Sequence, residues 1–251
     1  MMIDKERFAK LCEELGKARK TDSEGFTTYN EKRLHVILKR LCCEDSSCYE
    51  QKVGRFVADV FDGEAIYEIQ TASLYPLKKK LDYYLNETEY PVTVIKPFIA
   101  SKRIVRVDKE SGEVLRARRS PKKTGDAELY SELYKISEHL ANERLRILIL
   151  YIEADEYRYS DKVVRYRRTG KRDSELFPRG LISERCFCGM RDYDHLLEGS
   201  PDRFSAKEFG KRSGLSRRAL YDTLNLLCRL SLLEKKKNAD GTYEYTRVYL
   251  N

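Results

Sequence analysis

The feature that most constrains the fold is the apolar run Leu145–Ile152, which only Arg146 interrupts with a charge. Successive side chains of a strand point to opposite faces of a sheet, so a nearly continuous apolar run predicts a strand covered on both faces. The run is also far too short to cross a bilayer as a helix. It therefore predicts an α/β core, with a mixed sheet flanked by helices.

Periodicity divides the rest of the core into helices and strands. Asp4 is expected to cap a first helix, and apolar residues at helical spacing from Leu34 to Leu41 predict a second. The period changes to two between Arg55 and Thr71, and Asp62-Gly63 is a type I′ hairpin signal. Ser73 is expected to cap the next helix. Further strands are expected at 92–99, 103–107 and 114–118, and a helix at about 127–140.

The same pattern predicts three segments along the chain. Residues 1–156 form the core with its N-terminal helices, and residues 186–251 form a smaller second domain. Residues 157–185 are basic and rich in tyrosine without clean periodicity. They are typical of a connector or an irregular extension of the core.

The hairpin carries the candidate catalytic residues. If Asp62-Gly63 is a two-residue turn, Asp59 and Glu68 become diagonal neighbours on one face, with backbones about 7–8 Å apart. Gln70 follows Glu68 on the same face. Two carboxylates beside apolar neighbours repel each other, and a hard divalent ion such as Mg²⁺ keeps both charged. The pattern therefore predicts a metal site for Mg²⁺ or Mn²⁺.

In these residues the sequence resembles the restriction-endonuclease-like, or PD-(D/E)xK, nuclease superfamily. The resemblance covers about residues 28–100 and extends toward Ile152, through Asp59 and the triplet Glu68-Ile69-Gln70. It implies that Asp59 and Glu68 bind the metal and that Glu31, on the second helix, adds a third carboxylate. The implied reaction is phosphodiester hydrolysis by an activated water, with one metal ion or two.

The departure from the family pattern is Gln70, which stands where the family usually has lysine. Lys78 or Lys80 on the next helix could supply the cation and contact DNA phosphate. Glu31 has a second interpretation, because Thr28 and Glu31 fit a capping box. His35 lies one turn after Glu31 and could approach the same site or be a core histidine.

The C-terminal segment has strong helix signals. Ser205 and Glu208 form a capping box, and Phe204 and Phe209 form a hydrophobic staple. Gly214 then marks a turn. Ser216 is expected to cap the next helix, whose apolar stripe consists of Leu220, Leu224, Leu227 and Cys228. A hairpin is expected around residues 238–241.

This order of elements resembles a winged helix-turn-helix over about residues 191–250. The resemblance implies a recognition helix that presents Arg217, Arg218 and Tyr221 to DNA, and a wing that presents Lys236. A winged helix used for protein contact is the alternative.

Charge and cysteine content bear on the partner and the compartment. The formal net charge of +8 favours a polyanionic partner. Seven cysteines without an export signal are typical of reduced thiols in a cytoplasmic protein that does not enter the membrane. The sequence therefore predicts a metal-dependent DNA endonuclease, with a non-catalytic DNA-binding or regulatory protein as the alternative. Both hypotheses allow a homodimer.

Overall fold

A computed structural model describes residues 3–17, 29–108, 110–121, 126–160 and 174–249. Within these residues the chain is mixed α/β. The helices are α1 (Lys5–Lys17), α2 (Tyr29–Cys42), α3 (Lys78–Glu87), α4 (Asp126–Tyr134), α5 (Ala206–Ser213) and α6 (Arg217–Arg229). No helix in this part of the chain is long and apolar enough to cross a membrane.

The strands form two sheets. They are β1 (Tyr49–Val53), β2 (Phe56–Phe61), β3 (Ile66–Ile69), β4 (Val92–Asp108), β5 (Val114–Arg119), β6 (Leu145–Ser160), β7 (Ser174–Phe187), β8 (Arg203–Ser205), β9 (Leu233–Lys237) and β10 (Tyr243–Arg247). The large sheet has the order β1-β2-β3-β4-β6-β7, with β5 also paired to β4. The small sheet has the order β8-β10-β9. The expectation of an α/β core with a large mixed sheet and flanking helices is confirmed.

The chain divides into two compact units, each built from three segments. The first contains residues 1–63, 95–124 and 149–185, and the second contains residues 64–94, 125–148 and 186–251. A unit boundary at residue 186 was expected from the sequence. The C-terminal segment, however, shares its unit with two segments of the predicted core.

In the first unit, α1 and α2 form as expected. The Asp4 carboxylate accepts hydrogen bonds from the N–H groups of Glu6 and Arg7, at 2.9 and 3.2 Å. Phe8 and Ile37 are fully buried. The Asp4 cap and an apolar stripe therefore determine α1, and an apolar stripe determines α2.

The hairpins of the first unit differ from the expectation. β1 pairs antiparallel with β2 through a two-residue connection, in which Val53 lies opposite Phe56 and Gly54 has φ +60°. The predicted type I′ turn at Asp62-Gly63 is wrong, because it requires positive φ at both residues and only Gly63 has it, at +92°. A four-residue connection, 62–65, joins β2 to β3 instead.

Two strands are longer than expected. The predicted strands 92–99 and 103–107 are one continuous strand, β4, and β6 continues to Ser160. Residues 174–187 form β7, so the expectation of an irregular connector is wrong for that stretch. The remainder of that predicted connector, 161–173, lies outside the described residues.

In the second unit, α3 follows a 3₁₀ turn at Tyr75–Leu77. The predicted Ser73 cap of α3 is wrong, because Leu77 occupies the N-cap of the α-helix and Leu74 that of the 3₁₀ turn, although Ser73 Oγ accepts a hydrogen bond from the Tyr75 N–H at 3.3 Å. α4 ends at Tyr134, short of the predicted end near residue 140, because the chain continues in tighter turns with bonds between residues three apart.

The C-terminal segment of the second unit has the predicted elements. A 3₁₀ helix spans Met190–Leu197, and the capping box of Ser205 with Glu208 is formed. The stapling rings of Phe204 and Phe209 stack at 5.4 Å. Gly214 ends α5 with φ +64°. Ser216 occupies the N-cap of α6, but its side chain makes no capping hydrogen bond.

α6 is buried on two sides. Leu220, Leu224 and Leu227 form the predicted stripe, and a second buried stripe consists of Ala219, Thr223 and Leu226. Beside this second stripe α6 packs against α4, where Asp222 accepts a 2.6 Å hydrogen bond from Ser131. The Arg229 guanidinium lies 5.1 Å from the ring centroid of Tyr134. The sequence predicted only the first of the two stripes.

The two N-cap serines provide a matched test of capping. We expect Ser205→Ala to lower the free energy of unfolding by about 1 kcal/mol, because it removes a side-chain bond to the Glu208 N–H. Ser216→Ala should lower it by only a few tenths of a kcal/mol, since no such bond exists there. Urea unfolding of both variants measures the difference. Equal losses would contradict the capping assignment.

Candidate functional site

Asp59 lies on β2 between two fully buried residues, Ala58 and Val60. Its own side chain is 16% exposed, and Oδ2 lies 3.2 Å from Nε2 of His35 on α2. Strand alternation puts Asp59 on the face opposite Ala58 and Val60, as expected. The structure thus brings His35 and Asp59 together, so of the two sequence interpretations of His35, an approach to the Asp59 carboxylate agrees with the geometry.

Cys42 lies near the same carboxylate. Burial, and after it the negative charge of Asp59, raises the pKa of the Cys42 thiol to about 12. The thiol is therefore protonated at neutral pH. Asp59 and His35 are the better metal-binding groups here, because a thiol must lose its proton before it can bind a metal.

Glu68 lies on β3 and is almost completely buried, with 2% of its surface exposed. Lys80 Nζ donates hydrogen bonds to both carboxylate oxygens, at 2.9 and 2.8 Å. The Tyr84 hydroxyl donates a third at 3.1 Å. A buried carboxylate is costly unless it is paired and hydrogen-bonded, and these contacts meet both requirements.

The helical spacing of α3 brings these two donors to one carboxylate. Lys80 and Tyr84 are four residues apart, so they occupy neighbouring positions on one helix face. The apolar residues Leu81 and Leu85 bury the adjacent face. Lys80 was a candidate from the sequence, whereas the contact of Tyr84 with Glu68 was missed, although the four-residue spacing from Lys80 was a usable signal.

The remaining predicted core residues have separate environments. Gln70 is half-buried and lies one residue beyond the end of β3. The expectation that Gln70 belongs to this strand is therefore wrong. Lys78 forms an ion pair with Glu138, and this hydrogen bond raises the pKa of Lys78. The backbone of Glu31 belongs to α2, but its side chain lies outside the described residues.

The donor atoms fit a hard or borderline divalent ion. Within the first unit, Asp59 offers carboxylate oxygens and His35 offers an imidazole nitrogen, which are ligands that Mn²⁺ accepts, while Mg²⁺ prefers the oxygens. Among the described side chains, no group of three or more His, Cys, Asp or Glu could hold a metal. Mg²⁺ commonly uses one or two carboxylates and completes its shell with water.

The predicted DNA contacts of the C-terminal segment lie on one exposed stripe of α6. Arg217 is exposed, the Arg218 side chain is 86% exposed, and Tyr221 is 43% exposed. Lys236 is exposed on β9, directly opposite Glu244 on β10. Arg218 also lies 3.9 Å from the carboxylate of Asp222, one turn later on α6.

Residues 32–188 match the family described as Domain of unknown function (DUF8091), and the chain belongs to this family. An uncharacterized protein of Treponema pallidum (strain Nichols) is 30% identical over 146 residues. The match covers 56% of this chain and 55% of that relative, so the chain spans about half the relative's length. No solved structure matches the chain at a significant level.

The Glu68–Lys80 pair can be tested by removing one charge and then both. Lys80→Met should lower the free energy of unfolding by about 2–3 kcal/mol, because a buried carboxylate loses its cation while Lys80 itself is partly solvated. Adding Glu68→Gln should recover part of that loss. Lys79→Met, at the neighbouring exposed lysine, is the control. A Lys80→Met protein as stable as this control would show that the Glu68–Lys80 ion pair does not stabilise the fold.

Proposed function

We propose that this protein is a metal-dependent DNA endonuclease with a restriction-endonuclease-like core, positioned on duplex DNA by a C-terminal winged helix. The observation that carries the proposal is the contact of Lys80 with the buried carboxylate of Glu68. It supplies a cation beside a family-type acidic residue, although the usual lysine position is occupied by Gln70.

In this proposal Asp59 and Glu68 are the residues that would hold Mg²⁺ or Mn²⁺. The ion would act as a Lewis acid that lowers the pKa of water and stabilises charge on the phosphorane. Lys80 orients the attacking water through the N–H that does not bind Glu68, and its charge offsets negative charge that develops on the phosphate. The Tyr84 hydroxyl donates to the same carboxylate and helps to hold it in position.

His35 has a positioning role in the proposal. Its imidazole lies at ion-pair distance from Asp59, and it comes from a helix that is anchored by the buried residues Leu34 and Leu38. A neutral imidazole there can orient the carboxylate, whereas a protonated one would compete with a cation for it. Glu31, one turn earlier on α2, remains a proposed third carboxylate by resemblance.

The proposed winged helix consists of α5, α6 and the hairpin of β9 and β10. α6 is buried along two stripes, so DNA could be contacted only by the narrow exposed stripe that carries Arg217, Arg218 and Tyr221. Arginine guanidinium groups and a tyrosine at the start of such a helix can contact phosphates and base edges. Lys236 would contribute from the hairpin.

A second candidate is a DNA-binding or regulatory protein without catalytic activity. The observation that favours it is that both Glu68 oxygens already accept hydrogen bonds from Lys80 and Tyr84. A carboxylate held in this way has fewer lone pairs for a metal. The two candidates differ in one measurable respect, which is metal-dependent cleavage.

The cleavage test compares carboxylates of the hairpin. With Mg²⁺ or Mn²⁺, we expect Asp59→Asn and Glu68→Gln to reduce the rate of cleavage of plasmid and branched DNA about a thousandfold, or about 4 kcal/mol. Asp62→Asn, at an exposed position in the connection between β2 and β3, should leave the rate unchanged. Wild-type protein that cuts neither substrate with either metal would favour the non-catalytic candidate.

The winged-helix part is tested by binding alone. Arg217→Ala/Arg218→Ala should weaken duplex binding and reduce the slope of log affinity against log salt by about two units, because two phosphate contacts are lost. Lys10→Ala/Lys52→Ala removes two exposed charges elsewhere and is the control. If both double variants retain the wild-type slope, α6 does not contact DNA and the segment is a protein-contact module.

A further inference from the structure

β5 is an edge strand with an unusual concentration of arginine. All six of its residues are exposed, and within the described part of the chain β5 pairs only with β4. Arg116 and Arg118 alternate along the strand and therefore project from the same face. The opposite edge of the strand leaves its backbone groups open to solvent or to a partner.

The pairing with β4 adds a third arginine to this face. Arg106 lies directly opposite Arg116, and Ile104 lies opposite Arg118. Arg106 is exposed like the two arginines of β5. We call Arg106, Arg116 and Arg118 the arginine face. Like charges directly opposite each other destabilise a strand pair by a few tenths of a kcal/mol to about 1 kcal/mol, so this arrangement works against fold stability.

Neighbouring basic residues of the same unit form ion pairs with carboxylates, unlike the three arginines of the arginine face. Arg103 donates two hydrogen bonds to Asp155, at 3.0 and 2.6 Å. Glu156 in turn binds Lys102 at 2.6 Å and Arg158 at 2.7 Å.

The arginine face differs from these paired cations. In the described residues, no carboxylate lies within ion-pair distance of Arg106, Arg116 or Arg118. Arg103, Lys102 and Arg158 are thus paired with carboxylates, whereas these three arginines lie together and concentrate a positive potential at one edge.

Protection of an exposed edge is the simpler explanation, since charged side chains prevent edge-to-edge association. Charges of both signs would protect the edge without the repulsion between Arg106 and Arg116. The side chains of Val114 and Leu115 on this strand are 56% and 44% exposed. Exposed apolar side chains on an edge strand favour association instead of preventing it. Edge protection therefore does not account for the composition of β5.

We propose that the arginine face binds the phosphate backbone of duplex DNA. Side chains two residues apart on a strand are separated by about 6.8 Å, which is twice the axial spacing of about 3.4 Å between phosphates of one DNA strand. Arginine also forms two parallel hydrogen bonds to a phosphate. The inference rests on the DNA-binding part of the proposed function and does not depend on cleavage.

The test is a salt titration of duplex binding in EDTA, so that cleavage cannot contribute. Arg106→Gln/Arg116→Gln/Arg118→Gln should reduce the slope of log affinity against log salt by about three units. Lys10→Gln/Lys52→Gln/Lys79→Gln makes the same change in net charge at exposed lysines and should change the slope by less than one unit. The corresponding triple Arg→Lys variant should retain the wild-type slope.

The stability of the variants separates a DNA-binding role from a structural one. Removing the repulsion should leave the Gln variant as stable as the wild type or slightly more stable. An unchanged slope, or equal losses in the Gln variant and the lysine control, would overturn the proposal. So would equally tight binding of polyglutamate or anionic vesicles through the same face, which would assign it to an acidic protein or a membrane surface.

The Arg217→Ala/Arg218→Ala protein distinguishes failure of this inference from failure of the proposed function. Loss of slope only in that variant would support the winged helix and exclude the arginine face. A reduced slope only in the Arg106, Arg116 and Arg118 variant would support the arginine face and exclude DNA contacts by α6. Neither result depends on whether the wild-type protein cuts DNA.

Discussion

The burial of β6 on both faces is the constraint on which the rest of the fold depends. Ile147, Leu148, Ile149 and Leu150 are all fully buried. Because consecutive side chains point to opposite faces, the strand is stable only when each face is covered. Burial of each such side chain contributes about 1.5–3 kcal/mol as an upper estimate, so leaving either face open to water would remove a large part of the stability.

Much of the fold was predictable from local signals. The caps at Asp4, Ser205 and Gly214 are encoded in a few neighbouring residues, and the helices they limit have clear apolar stripes. The hairpin of β9 and β10 has a comparable signal in its turn residues. These elements were predicted because the chemistry that determines them lies within a few residues of sequence.

The missed elements depend on distant parts of the chain. β1 begins Tyr49-Glu50-Gln51-Lys52, in which polar residues hide any alternation, and only its pairing with β2 makes it a strand. β7 contains Pro178 and Gly180, which usually interrupt strands. Buried Thr223 on α6 was missed for the same reason, since its burial depends on packing outside the apolar pattern of its own helix.

The candidate site shows where sequence reasoning loses precision. Lys78 and Lys80 were equivalent candidates in the sequence, because the cap predicted at Ser73 placed the start of α3 too early. The 3₁₀ turn at Tyr75–Leu77 sets the phase of the helix, which directs Lys80 to Glu68 and Lys78 to Glu138. A rotation of one residue, or about 100°, would have changed both partners.

The packing of α6 against α4 has a consequence for how the chain folds. The second unit is built from residues 64–94, 125–148 and 186–251. The packing of α4 can therefore be completed only after α6, which is synthesised about eighty residues later. During synthesis its apolar surface is exposed until α6 leaves the ribosome. Such long-range contacts slow folding, because the chain must close large loops before the contacts can form. The last quarter of the chain thus controls when the second unit becomes resistant to aggregation and proteolysis.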